Sequence, residues 1–395
     1  MSNKNRVPSI RFMGFKGEWA EKKFINCLAK IIDFRGKTPK KLGLSWSNNG
    51  KYRALSALNV KNGFIDKNID VHFGNYDLYK KWMGNTELEK GDILFTTEAP
   101  MGNIAIIKDD EKYILSQRTI AFRVDEKNIN GPFLLYKLNT VSTKNKLMSL
   151  STGGTAQGIS QKNLSYLFIS VSNDLNEQQK IGNFFIKLDK LLDLQQQKID
   201  NLELLKKTLL QKLFPKHDSK VPELRFKGCN GEWEDCLVGN LLEVVPNKKY
   251  ITEASKKGLN PVIQQGEKPI LGFSNKAPYK EYKKVVLFGD HTLSLYKPES
   301  PFLIATDGIK ILYVKDWNGY FLFAFLQKYK PDSEGYRRHF SILKSKKAKF
   351  TVIDKEQQKI GNLLSKVDQL IELENRKLQN FQQVKKCLLQ NMFVD

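Results

Sequence analysis

The segment EQQKIGN occurs twice in this chain of 395 residues, beginning at Glu177 and again at Glu356. A repeat this long and this widely spaced constrains the fold before any other feature does. It is not alone: VPSIRFMGFKGEW (7–19) matches VPELRFKGCNGEW (221–233) at eight of 13 positions. Aligning 177–214 with 356–393 gives 19 identities in 38. Between these lies a fainter echo, NGPFLLYKL at Asn130 against NGYFLFAFL at Asn318. The order is colinear, while residues 25–175 and 239–354 share little else and differ in length, 151 against 116. The ends of each half are copied and the middles are not, so a duplicated scaffold carries two different inserts.

The segments after EQQKIGN read as long helices. Asn176-x-x-Gln179 and Asp354-x-x-Gln357 fit capping boxes. In the first, Ile181, Leu188, Leu202 and Leu209 form one heptad seam, with Phe184, Leu191 and Leu205 as a second. In the other, Ile360, Val367, Phe381 and Leu388 repeat the pattern, with Leu363, Leu370 and Val384 beside them. This is a coiled-coil signature in which both stripes are apolar enough to need each other. About 38 residues at 1.5 Å rise make each helix roughly 57 Å long. Polar residues interrupt both seams at one level, Gln195 and Lys198 against Glu374 and Lys377.

The copied order also predicts a pseudo-dyad. Phe393 is the equivalent of Phe214 and Val7 of Val221, so Phe393 should approach Val7 as Phe214 approaches Val221. Seven residues of chain span at most about 25 Å. The same symmetry makes the helices antiparallel and brings Glu374 near Lys198 or Lys377.

The inserts read as α/β domains. GDILFTTE (91–98), NIAIIK (103–108) and RTIAFRV (118–124) are strand-like in the first; KKVVLFG (283–289), SPFLIAT (300–306) and IKILYV (309–314) are strand-like in the second. The two NG segments read as a helix packed on each sheet. The expected architecture is α+β: two α/β domains separated by two long antiparallel coiled-coil helices with an internal pseudo-two-fold repeat. The expected boundaries are 1–175 and 215–354 for the domains, with 176–214 and 355–395 for the helices.

Charge and missing motifs narrow the function. The net charge is +23, which points to a polyanion partner. It is unevenly placed: +11 over 1–175 and +8 over 215–354, but only +2 over each helix segment. The apolar run YFLFAFL (320–326) is far shorter than the roughly 20 residues a membrane span needs. Four cysteines without paired spacing predict reduced thiols in a cytoplasmic protein. There is no phosphate-binding G-x-x-x-x-G-K-[ST] loop and no (D/N)PP(Y/F) motif of amino-methyltransferases. FMGFKG (12–17) reads as a turn, PDSEG (331–335) as a solvated loop, and the four histidines lack metal-ligand spacing. Neither a catalytic nor a metal site is expected.

Taken together, the chain resembles the specificity subunit of type I restriction–modification enzymes over essentially its whole length. EQQKIGNFF and EQQKIGNLL are similar to the start of that family's conserved helices. LEKGDILFTTEAPMGNIAII (88–107) resembles its GDIL…G-x-(I/V)-A-(I/V) element, and STGGTAQGISQKNLSYLFI (151–169) its G-T-x-Q-x-x-I…L…I run. The second insert departs from the pattern, with GDHT (289–292) and TDGIK (306–310) replacing GDIL. The resemblance implies a non-catalytic chain in which each insert is a target-recognition domain for one half of a bipartite, asymmetric DNA site. The helices would be a spacer and a docking site for modification subunits, which methylate adenine with S-adenosylmethionine. Restriction subunits would supply ATP- and Mg-dependent translocation and cleavage. A stand-alone sequence-specific DNA-binding regulator is the alternative, though it would not need two unlike readers on one copied scaffold.

Base and phosphate readers should be Arg, Lys, Gln or Asn side chains on loops of the basic domains. The candidates are Arg53, Thr97, Arg118, Thr155, Gln157 and Lys162 in the first insert. In the second they are Gln264, Gln265, His291, Lys310, Arg337, Arg338 and His339. There, YRRHF (336–340) aligns with GTAQG at an offset of 182, setting Arg337 and His339 against Thr155 and Gln157.

Overall fold

A computed structural model describes residues 6–153, 157–333, 335 and 338–395. In chain order the first half gives β1 (Ala20–Lys23), β2 (Leu28–Asp33), β3 (Tyr52–Leu55), β4 (Phe73–Gly74), α1 (Tyr76–Met83), β5 (Ile93–Thr96), β6 (Ile104–Ile106), β7 (Tyr113–Leu115) and β8 (Thr119–Val124). It continues with α2 (Gly131–Asn139), α3 (Val141–Ser149), α4 (Gln161–Leu164), β9 (Phe168–Val171) and the long helix α5 (Leu175–Lys212). The second half gives β10 (Glu234–Leu237), α6 (Val238–Leu241), β11 (Glu243–Val245), β12 (Asn260–Ile263), β13 (Ile270–Ser274), β14 (Val286–Gly289), β15 (Leu295–Tyr296), β16 (Leu303–Ile304) and β17 (Ile309–Tyr313). It ends with α7 (Gly319–Tyr329), α8 (Phe340–Ser345), β18 (Lys347–Phe350) and the long helix α9 (Asp354–Asn391). The chain divides into two compact units, residues 1–194 with 378–395, and residues 195–377.

The two units repeat one topology. The first has a four-stranded antiparallel sheet β2-β8-β5-β6, a three-stranded sheet β4-β3-β7 with β3 and β7 parallel, and the pair β1-β9. The second has β11-β17-β14-β15, then β13-β12-β16 with β12 and β16 parallel, and the pair β10-β18. The alternation of short apolar runs with Gly and Asp turns builds these sheets. The NG segments become α2 and α7, where Asn130 Oδ1 accepts from the Phe133 amide and Asn318 Oδ1 from the Tyr320 amide. YFLFAFL is core: Phe321, Leu322, Phe325 and Leu326 are fully buried.

EQQKIGN is explained residue by residue. Glu177 is buried and takes a bidentate ion pair from Arg11 at 2.6 and 2.9 Å, a hydrogen bond from Trp19 Nε1 and one from Ser172 Oγ. Glu356 does the same with Arg225 at 2.8 and 3.0 Å and with Thr351 Oγ1. Gln178 and Gln357 each reach back with Nε2 to the carbonyl of residue 172 or 351, at 2.7 Å in both. Ile181 and Ile360 enter the two cores. Gly182 and Gly361 let the long helix lie against α2 and α7: an added Cβ would stand 2.9 Å from the Phe133 amide nitrogen or 2.6 Å from that of Phe321. The motif thus ties the GEW segment, the closing strand and the NG helix to one helical turn. The capping boxes are displaced, however. Asp174 Oδ1 accepts from the Asn176 amide and its carbonyl from Gln178, so the first cap lies two residues before Asn176. In the second helix the Ile353 carbonyl accepts from the amides of Glu356 and Gln357, so Asp354 is already inside it.

Within each unit the two long helices run antiparallel. In the second unit Gln195 and Lys198 meet Glu374, while Lys206 meets Asp368. In the first, Phe185 packs on Phe393 and Asp189 pairs with Lys385. Glu374, 3% exposed, accepts from Gln195 at 2.7 Å, Lys198 at 2.9 Å and Lys377 at 3.0 Å, and those hydrogen bonds, Gln195 foremost, hold its carboxyl down to about 2. The buried charge therefore has the lysine partners expected of it. The termini also meet as the pseudo-dyad requires, since the Ile10 amide donates to the Asn391 carbonyl at 2.9 Å, as Leu224 does to Lys212 at 2.8 Å. Met392, Phe393 and Val394 are buried in the core of the first unit, and Lys137 Nζ donates to the Val394 carbonyl at 2.5 Å. The second heptad seam is a correction. Leu191 and Val384 in the first unit, and Leu205 and Leu370 in the second, are 43–49% exposed, so the seam is left uncovered there, while its members Phe184 and Leu363 pack on the two cores.

Candidate functional site

The decisive local geometry lies where β5 ends beside the start of β8. Thr96 opposes Thr119 in the ladder, and one step further the Thr97 amide donates to the Arg118 carbonyl at 2.9 Å. The Thr97 carbonyl in turn accepts from Ile159 at 3.0 Å, and Glu98 bridges Gly158. The two segments singled out in the sequence, GDILFTTEAP and the run after Ser151, are therefore neighbours. Thr96 Oγ1 accepts from the Asn103 amide and donates to the Pro100 carbonyl, fixing the turn. Arg118 and Ala99 both have left-handed backbones, φ 61° and 46°. Asp70 (φ 47°) is the third such non-glycine residue described in this unit. All three line one cavity of about 340 Å³, with Trp46, His72 and Gln117. Trp46 stacks on His72 at 6.2 Å, and His72 Nε2 lies 3.2 Å from the Asp70 carboxylate.

The second unit builds the same frame with other side chains. Gly289 opposes Ile309, and the Asp290 amide donates to the Gly308 carbonyl at 2.9 Å. The Asp290 carbonyl accepts from the His339 amide at 2.8 Å, and its carboxylate from Phe340 at 2.8 Å. Thr97 thus corresponds to Asp290, Glu98 to His291, Arg118 to Gly308 and Ile159 to His339. The offset at the last pair is 180, not the 182 expected from GTAQG and YRRHF, because hydrogen bonding to the residue 97 or 290 carbonyl, rather than residue similarity, fixes the register. Gln157 then matches position 337.

The remaining candidates fall as follows. Gln157, Lys162 and Arg338 are exposed. Arg53, on β3, turns away to donate to the Lys67 carbonyl at 2.8 Å and lies over Phe73, 4.6 Å from the ring centroid. Thr97 and His339 are buried, at 2% and 0% exposure, and support the turns from beneath. Gln265 Oε1 accepts from the His291 amide at 3.0 Å, so these two stand together. Gln264 caps its own loop through the Lys268 carbonyl and Lys310 reaches the Asp307 carbonyl. Thr155 and Arg337 lie outside the described residues. Residues that the sequence reading passed over are Glu98, Asp70, His72 and Trp46. A search for cationic and amide readers does not select carboxylates, and nothing in their spacing announces the cavity. Among the described residues no group of His, Cys, Asp or Glu is arranged to hold a metal, and no helix is long and apolar enough to cross a membrane.

Residues 17–204 match the family model described as the type I restriction modification DNA specificity domain. That segment, just under half of the chain, carries the type I restriction modification DNA specificity domain. It is 26% identical over 372 aligned positions to a Methanocaldococcus jannaschii protein named for the specificity subunit of the type I restriction enzyme MjaX, covering 82% of this chain and 83% of that one. The crystal structure of the type I restriction-modification S subunit from M. genitalium superposes with TM-score 0.70 at 17% identity, over 98% of this chain and 99% of that one. A chain from a structure of complex assembly and conformational transition of the type I R-M system gives 0.52 at 15% identity, over 95% and 97%. The two structural likenesses establish the fold, a mixed helix-and-sheet architecture with two sheet-rich parts and two long helices. The matched model is that of a DNA specificity domain, and the Methanocaldococcus jannaschii relative is named as a specificity subunit.

Proposed function

We propose that each globular part reads one half of a bipartite, asymmetric DNA target. In this reading residues 1–175 and 215–354 are the two target-recognition domains, and 176–214 and 355–395 are the spacer helices. The observation that carries it is the pairing of one frame with two sets of loop side chains: Glu98 and Arg118 in one unit, His291 and Gly308 in the other, on the same backbone hydrogen bonds. The excess positive charge of the inserts fits phosphate contact. Arg118, Gln157 and Lys162 on one side, and Gln264, Gln265, His291, Lys310, Arg337 and Arg338 on the other, are the proposed DNA contacts; Thr155 joins the first set, while Arg53, bound to the Lys67 carbonyl, and Thr97 and His339 hold loops in place.

The helices serve as docking sites for the modification subunits. Their support is the uncovered apolar stripe, Leu191, Leu194 and Val384 in the first unit and Leu204, Leu205, Leu370 and Leu373 in the second. Adenine methylation with S-adenosylmethionine belongs to those subunits, and ATP and Mg to restriction subunits, in a cytoplasmic complex. Affinity capture of the full chain from native lysate should bring down a methyltransferase carrying a (D/N)PP(Y/F) motif. Recovery of the chain without one would favour a stand-alone DNA-binding regulator and overturn the reading.

A further inference from the structure

We propose that Glu98 and Arg118 are the base-reading pair of the first unit, Arg118 donating to O6 and N7 of a guanine and Glu98 accepting from N4 of the cytosine paired with it. This rests on the DNA-recognition reading above and assigns it a base pair and two side chains.

Three observations converge on these residues. The first is the comparison of the two frames. Positions 97/118 and 290/308 make the same 2.9 Å backbone hydrogen bond, while the side chains change from Glu98 and Arg118 to His291 and Gly308 and the left-handed backbone of Arg118 is not repeated at Gly308. In the second unit the space above position 308 is taken by Gln265, whose Nε2 lies 2.5 Å from where a Cβ on Gly308 would stand. A side chain at position 308 would have to displace Gln265, and with glycine there the second unit presents no arginine at this point. A change of side chains at matched positions of one hydrogen-bonded frame is where two readers of different sequence must differ.

The second observation is strain. Arg118 is left-handed and Glu98 precedes left-handed Ala99, a conformation that non-glycine residues adopt reluctantly and that clusters at functional sites. The pair does not repay that strain through stability. Its Nε to Oε1 distance is 3.4 Å and the side chains are 55% and 47% exposed, the regime in which ion pairs contribute little to folding.

The third is chemistry. Both side chains rise from the end of a rigid ladder beside the cavity of Trp46, Asp70, His72 and Gln117, open to an approaching groove. The arginine fork matches the two guanine acceptors of the major groove, and a carboxylate matches the cytosine amine. In a G·C pair those groups lie side by side, as Arg118 and Glu98 do.

The test uses the full chain assembled with its modification subunits and a set of duplexes carrying the methylated target with each specified base pair changed singly. The wild-type complex should prefer G·C over A·T at one position of one half-site. Arg118→Ala should shrink that preference about ten- to a hundred-fold, leaving the other half-site unchanged. Glu98→Gln should weaken it less. Arg118→Gly, which suits the left-handed backbone, should leave the thermal midpoint unchanged or higher while losing the same preference, which separates reading from folding. Full retention of base preference by folded Arg118→Ala or Arg118→Gly overturns the proposal and leaves the two-reader function standing. A half-site for the first unit with no G·C position overturns it as well. Absence of any bipartite target for the wild-type complex would instead defeat the function on which it rests.

Discussion

The two units agree most where side chains meet the long helices and least where their ladders end. Arg11 holds Glu177 as Arg225 holds Glu356, Trp19 packs against Phe133 as Trp233 packs against Phe321, and both EQQ turns hydrogen-bond back to their closing strands. At the open ends, residues 97–118 and 290–308 keep the backbone bond and change nearly every group around it. On the proposed reading, the duplicated part of the sequence encodes position and the divergent part encodes recognition.

The comparison can be broken most severely by exchange. Replacing residues 25–175 with the equivalent region of a related subunit should transfer one half-site completely and leave the other untouched, read by sequencing methylated host DNA. A change in both halves would show that the units do not read independently. A smaller but direct probe is Arg11→Ala against Arg225→Ala. Each leaves a buried carboxylate without its partner, Glu177 at 0% and Glu356 at 1% side-chain exposure, so each should cost about 3–5 kcal/mol by chemical denaturation. Equal losses would confirm that the frame is duplicated energetically as well as geometrically; a loss in one alone would limit the symmetry to appearance. The smallest effect concerns Glu374, which has no acidic counterpart at Gln195. Its folded carboxyl titrates at about 2, below the unfolded value near 4.3. Its contribution is therefore complete above about pH 4.3 and is lost as pH falls towards 2. Glu374→Gln should flatten the fall in denaturation midpoint across that window, with little change in the form of the curve at neutral pH.

Much of this frame was legible in the sequence because it depends on periodicity and copying. The antiparallel helices, the meeting of Ile10 with Asn391 and the lysine partners of Glu374 all follow from matching Phe393 to Phe214 and Val7 to Val221. The helix caps did not, because Asp174 and Ile353 cap through a short-range turn that Asn176 and Asp354 mimic equally well in sequence. The 180-residue register between Ile159 and His339 was hidden for a related reason: a backbone amide sets it, and amides carry no residue identity. The second heptad seam misled because an apolar stripe reports a need for cover without naming what supplies it. Glu98 stayed invisible because its proposed role depends on pairing with Arg118, 20 positions away in the chain.

The burial of Met392, Phe393 and Val394 in the first unit, with Lys137 fastened to the Val394 carbonyl, has a consequence in time. A ribosome makes residues 195–377 before it makes the segment that fills the first core. The second unit has all its parts while the first still lacks Phe393, which packs against Trp19, Phe133 and Phe185. The usual order of synthesis, in which the part made first folds first, is inverted here. The earlier-made unit is completed last, and a nascent chain halted before residue 392 contains every residue of the second unit while the first still lacks part of its core.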